Sequence, residues 1–497
     1  MSQTPDKSSQ LPQFHVVGFS GHRQITNPAD AARVIQQALQ ALAEEVTGEW
    51  IALSSIASGG DQIFVEQVGG AGLAWHALLP LPRAEFASDF TPEEWVQVER
   101  TLSTAEKVRV IDETGSRDDA YLDCGMETVN GADVLIVIWD GQPARGKGGT
   151  AEVVEYALSL GKPLLIIDAE ALTLRKENWH RLQFRDASLM SLNRLPMFRL
   201  SWASNPFDAP GEIFAFQQKC DYAASRGAPQ FRRLTVSMLL LHILATIVAA
   251  AALAYALHLM ILPWVKLLCL AGGVGFALLL KQRTHSQQNW VRCRLAAEFC
   301  RSAMAVWGLP RSTPLLQDLD VMSMRALTRT LQILHGRAAA LRPVSIADFR
   351  RIYSEKRIDD QIAYFARQEA RAAPLFARLK LWFWLTTSFA LGCTALYAIS
   401  ISVNLVVPVW MQTTLFDFLP ITLPVVAAAL ISMISINDLQ RRVARYREMQ
   451  IELEAGRRQL QFCETWNSVE RVVLKIERAL LHEVLEWHST AVYAEPH

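Results

Sequence analysis

The sequence lacks the features that would place it in several common protein classes. Its 497 residues carry no net formal charge, so the overall charge gives no reason to expect a nucleic-acid polymer as a partner. The seven cysteines show neither the paired spacing of metal ligands nor the density of a disulfide-rich secreted protein. We therefore expect reduced, structural cysteines, no bound metal and no required cofactor.

An apolar signal-peptide core is also missing from the N-terminal segment, residues 1–13, which is polar. This composition predicts a disordered tail followed by a domain that stays in the cytoplasm.

Apolar residues are instead concentrated in four long runs, at 234–257, 262–280, 381–407 and 418–436. Each run reaches about 19 residues or more, enough to cross a hydrocarbon core of roughly 30 Å. One such run could be a buried helix of a soluble protein. Four together favour two membrane hairpins, and therefore the lipid bilayer as a partner.

Basic residues flank both hairpins on the same side. Lys and Arg precede the first and third runs and follow the second and fourth, whereas the turn 404–417 contains neither. Because basic flanks are retained in the cytoplasm, both hairpins are predicted to enter from that side and return to it. We expect a multi-pass membrane protein with both termini in the cytoplasm.

The phrase Ala-Pro-x-Phe-x-Arg-Leu occurs at 228–234 and again at 373–379, each time at the start of an apolar run. An acidic and a basic residue recur at matching positions beyond each hairpin. These matches predict a duplicated two-span module, with Pro229 and Pro374 breaking or starting helices at the membrane surface. The residues expected to couple the cytoplasmic parts to the membrane are Arg233, Arg378, Glu298, Arg301, Glu454 and Arg457.

The helices around the hairpins are amphipathic and could join neighbouring subunits of a homo-oligomer. They could equally pack within one chain, with Glu298 and Arg301 as an ordinary surface ion pair. The pattern leaves both interpretations open.

The first two hundred residues alternate between strand and helix patterns. The predicted strands are 14–19, 50–56, 73–79, 107–111, 134–139 and 163–167, with helices at 29–46 and 150–160 among the connections. This rhythm predicts an α/β domain at 14–200 built on a parallel, doubly wound sheet. An all-α membrane region follows, with repeats at 201–344 and 345–497.

Glycine-rich segments follow three of the predicted strands, at 18–23, 59–61 and 140–152. Ligands of doubly wound sheets bind beyond the carboxyl ends of the strands, and glycine lets backbone N–H groups approach a phosphate closely. We therefore expect a small nucleotide or another phosphate-bearing ligand here, in preference to glycines that only shape turns. The candidate binding residues are Gly18, Ser20, Gly21, His22, Arg23, Gly59, Gly60, Asp61, Arg83, Asp140, Gly141, Arg145, Gly146, Lys147, Gly148, Gly149, Thr150 and Glu152.

Two carboxylates in this set admit a second interpretation. Asp61 or Asp140 could accept hydrogen bonds from a ribose or a base, but either could merely cap a helix or a turn. The glycine segments match neither the lysine-bearing loop of nucleoside triphosphatases nor the dinucleotide fingerprint. Hydrolysis of ATP and hydride transfer are therefore disfavoured.

The glycine segments, the Leu-Pro-Leu-Pro-Arg stretch at 79–83 and Asp89-Phe90 together resemble the SLOG superfamily of Rossmann-like nucleotide-binding domains. The membrane half is similar to the SLATT family of two-span effectors, which occur with SLOG sensors in prokaryotic conflict systems. The resemblance implies that a nucleotide-derived signal made during infection binds the head. It further implies that the membrane part then forms a pore or breaches the inner membrane.

Two other functions stay open on the sequence. Some SLOG relatives hydrolyse the N-glycosidic bond of nucleotides, which would make Glu152 the catalytic carboxylate. A further glycine and a second acid of their motif are absent here, because Val153 follows Glu152. The third possibility is a membrane scaffold whose head binds a partner protein.

Overall fold

The computed structural model describes residues 9–111, 116–143, 148–182, 187–196, 205, 207–257, 259–282, 284–310, 322–339 and 345–493. The chain forms two compact units. We call Gln10–Arg194 with Arg311–Leu341 the head, and Leu195–Pro310 with Arg342–His497 and the first nine residues the membrane unit.

The head contains a seven-stranded sheet. Its strands are β1 (Phe14–Gly21), β2 (Glu49–Ser54), β3 (Ala74–Leu79), β4 (Lys107–Val110), β5 (Val134–Trp139), β6 (Leu164–Asp168) and β7 (Leu174–Glu177), in the order β4-β3-β2-β1-β5-β6-β7. The first six are parallel, and β7 pairs antiparallel with β6. The six predicted strands are thus present, whereas β7 was not predicted.

Helices cover both faces of this sheet, as expected for parallel strands. The helices of the head are α1 (Pro28–Glu45), α2 (Gly60–Gly70), α3 (Arg83–Phe86), α4 (Pro92–Leu102), α5 (Arg117–Gly131), α6 (Thr150–Ser159) and α7 (Ala187–Asn193). Alternate strand residues divide between two cores: Val17 and Phe19 pack with α1 and α2, while Val16 packs with α5. The coarse α/β prediction is therefore confirmed for this part of the chain.

A later helix, α11 (Arg325–Ala339), also belongs to the head. Its Ile333 packs with Phe14 and Ile51, and the Arg337 guanidinium bonds Glu49 at 2.6 Å and Glu106 at 2.7 Å. The sequence analysis assigned this helix to the first membrane repeat. The structure differs because these apolar and charged contacts hold α11 against the starts of β1, β2 and β4.

The end of the predicted N-terminal tail is ordered. Leu11 is buried, its N–H donates to Asn193 Oδ1 at 3.0 Å, and its carbonyl accepts from Asn193 Nδ2 at 2.9 Å. The predicted disorder therefore does not extend to Leu11. Residues 1–8 lie outside the described part.

The membrane unit is helical. Its helices are α8 (Gly211–Ala254), α9 (Ile261–Gln282), α10 (Thr284–Ala305), α12 (Ile346–Tyr353), α13 (Asp360–Ser402), α14 (Val409–Met411), α15 (Leu419–Ile436), α16 (Leu439–Gln461) and α17 (Trp466–Tyr493). Two π-helical segments, Ser354–Asp359 and Gln412–Phe418, precede α13 and α15. In the described residues, four helical stretches are long and apolar enough to cross a membrane. The chain is therefore treated as a membrane protein.

Both prolines of the repeated phrase lie inside continuous helices. Pro229 falls within α8 and Pro374 within α13, so the prediction that they break or start helices was wrong. An interior proline costs the helix one N–H donor and crowds the carbonyl four residues earlier, but helices of membrane proteins tolerate it where neighbouring groups satisfy the freed backbone atoms. Each phrase thus marks a helix that continues from the amphipathic region into an apolar span.

Candidate ligand-binding site

The order of the parallel strands reverses between β1 and β5. β1 pairs with β2 on one side and with β5 on the other, so the connections after β1 and β5 lead away in opposite directions. Such a reversal opens a crevice beyond the carboxyl ends of the two strands, where ligands of this architecture bind. We call this place the switch-point crevice.

His22 and Asp140 connect the two strand ends at this crevice. The Asp140 N–H donates to His22 Nε2 at 3.0 Å, and Asp140 Oδ1 lies 3.3 Å from the same nitrogen. Asp140 Oδ1 also accepts from the Gln142 N–H at 3.0 Å, which closes the turn after β5. These contacts give both residues a structural role at the base of the crevice.

Gly59 fixes the start of α2 against the segment after β1. Its φ is +86°, and a β-carbon there would lie 2.2 Å from the Arg23 carbonyl oxygen. Next to it, the Gly60 N–H donates to the His22 carbonyl at 3.0 Å. Only glycine fits this conformation and this approach, so the predicted 18–23 and 59–61 segments do meet.

Asp61 faces the interior of the head. Its side chain accepts from Ser54 Oγ at 3.3 Å and Ser55 Oγ at 3.1 Å, and the residue is 4% exposed. Burial raises the pKa of this carboxyl to about 7, although the serine hydrogen bonds partly oppose the shift. Of its two predicted roles, the contacts favour the structural one.

The segment before α6 forms the other side of the site. Gly148 has a φ of +78°, and its N–H donates to Glu152 Oε2 at 2.6 Å. Gly149 is the N-cap of α6 and Thr150 its first residue, with no side chain capping this end. Glu152 thus supports the glycine loop with one carboxylate oxygen.

The remaining predicted residues are placed as follows. Gly18 lies within β1, where a β-carbon would be 2.9 Å from Ala132, so it serves sheet and helix packing. Ser20 is partly buried in β1, Gly141 (φ +74°) has open space around it, and Arg83 is exposed on α3. Arg145, Gly146 and Lys147 lie outside the described residues. No cluster of three His, Cys, Asp or Glu suited to a metal is found among the described side chains.

Sequence reasoning missed two residues on α5. Tyr121 lies beside Gly148, whose β-carbon would be 2.9 Å from Tyr121 Cβ. The guanidinium carbons of Arg23 and Arg117 lie 5.3 Å and 5.8 Å from the centre of the Tyr121 ring. Tyr121 therefore brings the 18–23 and 148–152 segments together. Its only signal in the sequence is an aromatic residue near the start of a helix, which is common.

The predicted coupling residues occupy different surroundings in the membrane unit. Arg301 Nη1 bonds Glu298 Oε1 at 2.5 Å, and both side chains are partly buried. Arg457 instead pairs with Asp359 at 3.0 Å, and Glu454 is exposed. The matching residues of the two repeats thus make different contacts. Arg233 and Arg378 are both exposed.

A buried ion pair that the sequence did not reveal joins the helical segments before and after the second hairpin. Arg357 Nε and Nη2 donate to Glu477 Oε1 and Oε2 at 2.8 Å and 2.6 Å. Tyr353 Oη donates to Glu477 Oε1 at 2.8 Å, and Ser302 of α10 donates to the other carboxylate oxygen. Ser302 lies in α10, Tyr353 in α12, Arg357 in the π-helical segment and Glu477 in α17, so four helical elements meet at one carboxylate.

One family model matches part of the chain. Residues 353–487 match the family SLATT_1, described as "SMODS and SLOG-associating 2TM effector domain 1". The matched region contains the second hairpin together with Tyr353, Arg357 and Glu477. No match was found among curated proteins. The SLATT part of the predicted resemblance is therefore supported over residues 353–487.

Proposed function

We propose that the chain is a membrane-bound sensor-effector in antiviral defence. The head binds a nucleotide-derived signal, and the four-span region assembles as a homo-oligomer that forms a pore or disrupts the bacterial inner membrane. The observation that carries this proposal is the convergence of Arg23 and the glycine-capped starts of α2 and α6 at the switch-point crevice. The same chain contains a region matched to a two-span effector family.

The free helix ends support an anionic ligand. The long helices α1, α4 and α5 have side-chain caps, supplied by Asn27, Thr91 and Ser116. The ends of α2 and α6 have glycine at the N-cap and no side-chain cap. The Gly60 N–H of α2 already donates to the His22 carbonyl, and the Glu152 N–H of α6 donates to the Gly149 carbonyl. The other N–H groups of the two first turns and the helix dipoles are what a negatively charged group would meet.

The apolar surface of the membrane unit supports the effector role. In each membrane-length helix, only 11–17% of the most apolar window is buried within the chain. Most of that surface is left for lipid or for neighbouring copies of the chain. Basic residues at the hairpin ends support entry from the cytoplasm, with both termini on that side.

The position of Glu152 supports binding rather than glycoside hydrolysis. Its carboxylate accepts the Gly148 N–H at 2.6 Å and thereby shapes the loop before α6. A catalytic carboxylate would instead need a free path to the sugar.

Mass spectrometry of small molecules retained by the full-length protein, purified gently in detergent, tests the ligand. We expect wild type to retain a phosphate-bearing nucleotide compound, and Arg23→Ala to lose at least 90% of it, on the order of a tenfold loss of affinity. Arg33→Ala is the matched control, because Arg33 makes only an exposed pair with Asp30 on α1. Equal retention by Arg23→Ala, or no phosphate-bearing compound in wild type, would overturn the proposal.

A further inference from the structure

The hydroxyl group of Tyr121 is an unsatisfied hydrogen-bonding group in the head. The oxygen is shielded from solvent and has no hydrogen-bond partner among the described residues. Shielded hydroxyl groups in folded proteins are nearly always hydrogen-bonded. The geometry around Tyr121 indicates what the missing partner is.

Two guanidinium groups lie near the Tyr121 ring, but they are held differently. Arg117 forms an ion pair with Asp89, and its Nη2 also lies 3.3 Å from Ser88 Oγ. Arg23 forms no ion pair in the described part of the chain, although its charge acts on the buried Asp61 carboxyl, and its guanidinium carbon lies 5.3 Å from the Tyr121 ring centre. The Arg23 backbone is fixed, because Gly59 packs against its carbonyl. Arg23 is thus a pre-positioned cation with unused donors.

The charge of this group is suited to a phosphoryl group. Asp89 neutralises Arg117, which leaves the Arg23 charge and the partial positive charge of the uncapped α6 terminus. Tyr121 contacts Gly148, directly before that terminus. A hydroxyl donor, a planar guanidinium and free backbone N–H groups are the donors that phosphate oxygens accept.

We propose that Tyr121, Arg23 and Arg117 form a phosphoryl subsite at the switch-point crevice. The Tyr121 hydroxyl donates to a phosphoryl oxygen, Arg23 pairs with its charge, and the ring positions both guanidinium groups. This inference rests on the proposed nucleotide-binding function and narrows it, because it assigns two residues of α5 to the ligand's phosphate. The Asp89–Arg117 pair gives the 83–89 segment a positioning role in the same subsite.

Calorimetric titration of the full-length protein in detergent with inorganic pyrophosphate tests the subsite. Pyrophosphate carries no base, so the identity of the nucleotide base does not need to be known. We expect pyrophosphate to bind wild type. Tyr121→Phe, which keeps the ring, should weaken binding about fivefold, as expected for one hydrogen bond. Arg117→Met should weaken it about tenfold, and Arg117→Lys less than Arg117→Met, because Lys keeps the charge but loses the planar stack.

Two matched controls separate these effects from general damage to the head. Tyr156→Phe removes a hydroxyl that is already bonded to Asn130 at 3.1 Å, and Arg109→Met removes an exposed pair with Glu127 at 3.0 Å. Both should bind pyrophosphate as wild type does, and all variants should show the wild-type unfolding temperature of the head.

The outcomes also distinguish this inference from the proposed function. If pyrophosphate binds wild type, Tyr121→Phe and Arg117→Met with equal affinity, the proposed subsite is wrong. The proposal that a nucleotide binds elsewhere in the crevice would be unaffected. A wild-type protein that retains a nucleotide compound but ignores pyrophosphate would likewise overturn the subsite alone. If wild type binds neither, both the subsite and the proposed function are wrong.

Discussion

Asp61, which is buried, and His76, which is partly buried, are titratable residues of the head whose contributions to its stability change in opposite directions with pH. Burial raises the pKa of the Asp61 carboxyl to about 7 from its ordinary 3.8, and lowers the pKa of His76 to about 4 from its ordinary 6.5. Between pH 4 and 7 folded Asp61 holds a proton that the unfolded chain has lost, so its contribution to stability falls as the pH rises. The contribution of His76 falls instead as the pH drops below 6.5.

Asp61→Asn should therefore remove the pH dependence of stability that Asp61 causes and leave the one that His76 causes. Asn keeps the shape of the side chain and can still bond Ser54 and Ser55, but it does not ionise. We expect wild type to lose stability by up to about 1.4 kcal/mol per pH unit between pH 5 and 7 relative to Asp61→Asn. Hydrogen exchange of β2 and α2, corrected for the intrinsic rate at each pH, measures the difference. His76 and Arg23 are present in both proteins, so an identical pH dependence would show that Asp61 is not the cause.

At the scale of elements, the Arg357–Glu477 pair holds the segment before α13 against α17, and Ser302 of α10 joins them at the same carboxylate. Both side chains are almost fully buried, at 3% and 0% exposure, and the pair is bidentate. Removing one partner of such a pair leaves an uncompensated buried charge, whereas replacing both with apolar groups is often neutral. The value of the pair therefore lies in specifying which helices pack, more than in stability.

Arg357→Met should accordingly destabilise the packing of α17 by about 3–5 kcal/mol, and the double variant Arg357→Met with Glu477→Leu should recover most of that loss. Hydrogen-exchange protection of α17 in detergent reports both changes. Arg351→Met is the control, because its pairs with Asp348 and Glu355 are exposed and should contribute under about 1 kcal/mol. Equal protection in the single and double variants would contradict the account.

Elements with a strong hydrophobic pattern could be predicted from the sequence, and those without one could not. The strand from Val134 to Trp139 matches its prediction, because six consecutive apolar residues between turns are typical of a buried strand. Strand β7, Leu-Arg-Lys-Glu, is short, charged and mostly exposed, so its place depends on pairing with β6. The π-helical segment at Ser354–Asp359 likewise has no sequence pattern of its own.

The candidate site was partly predictable for a similar reason. Glycines at strand ends are visible in a sequence because special backbone conformations demand them, and Gly59 and Gly148 do have positive φ angles. A sequence does not show whether a carboxylate points toward the crevice or into the core of the head. Asp61 therefore appeared as a ligand residue although it bonds the buried Ser54 and the partly buried Ser55, and Tyr121 appeared as an ordinary helix residue.

At the scale of the whole molecule, the chain passes between its two units more than once. It leaves the head near residue 194, forms the first hairpin, returns as α11, and leaves again near residue 342 for the second hairpin. Within the head, Arg329 pairs with Asp133 and Arg337 with Glu49 and Glu106, which fixes α11 to the sheet. Both hairpins thus continue directly from segments of the head, so each has a covalent connection through which a change in the head can act.

The most direct test of a head that controls the membrane unit is ion leakage from liposomes containing the full-length protein. The added probe is a saturating mixture of nucleoside mono-, di- and triphosphates with NAD. We expect leakage to rise with the mixture in wild type and to stay at the basal level in Arg23→Ala. Leakage should also be weakened in Arg233→Ala with Arg378→Ala, whose ligand affinity stays intact. Wild-type leakage that ignores the mixture, or that rises equally in Arg23→Ala, would contradict the account.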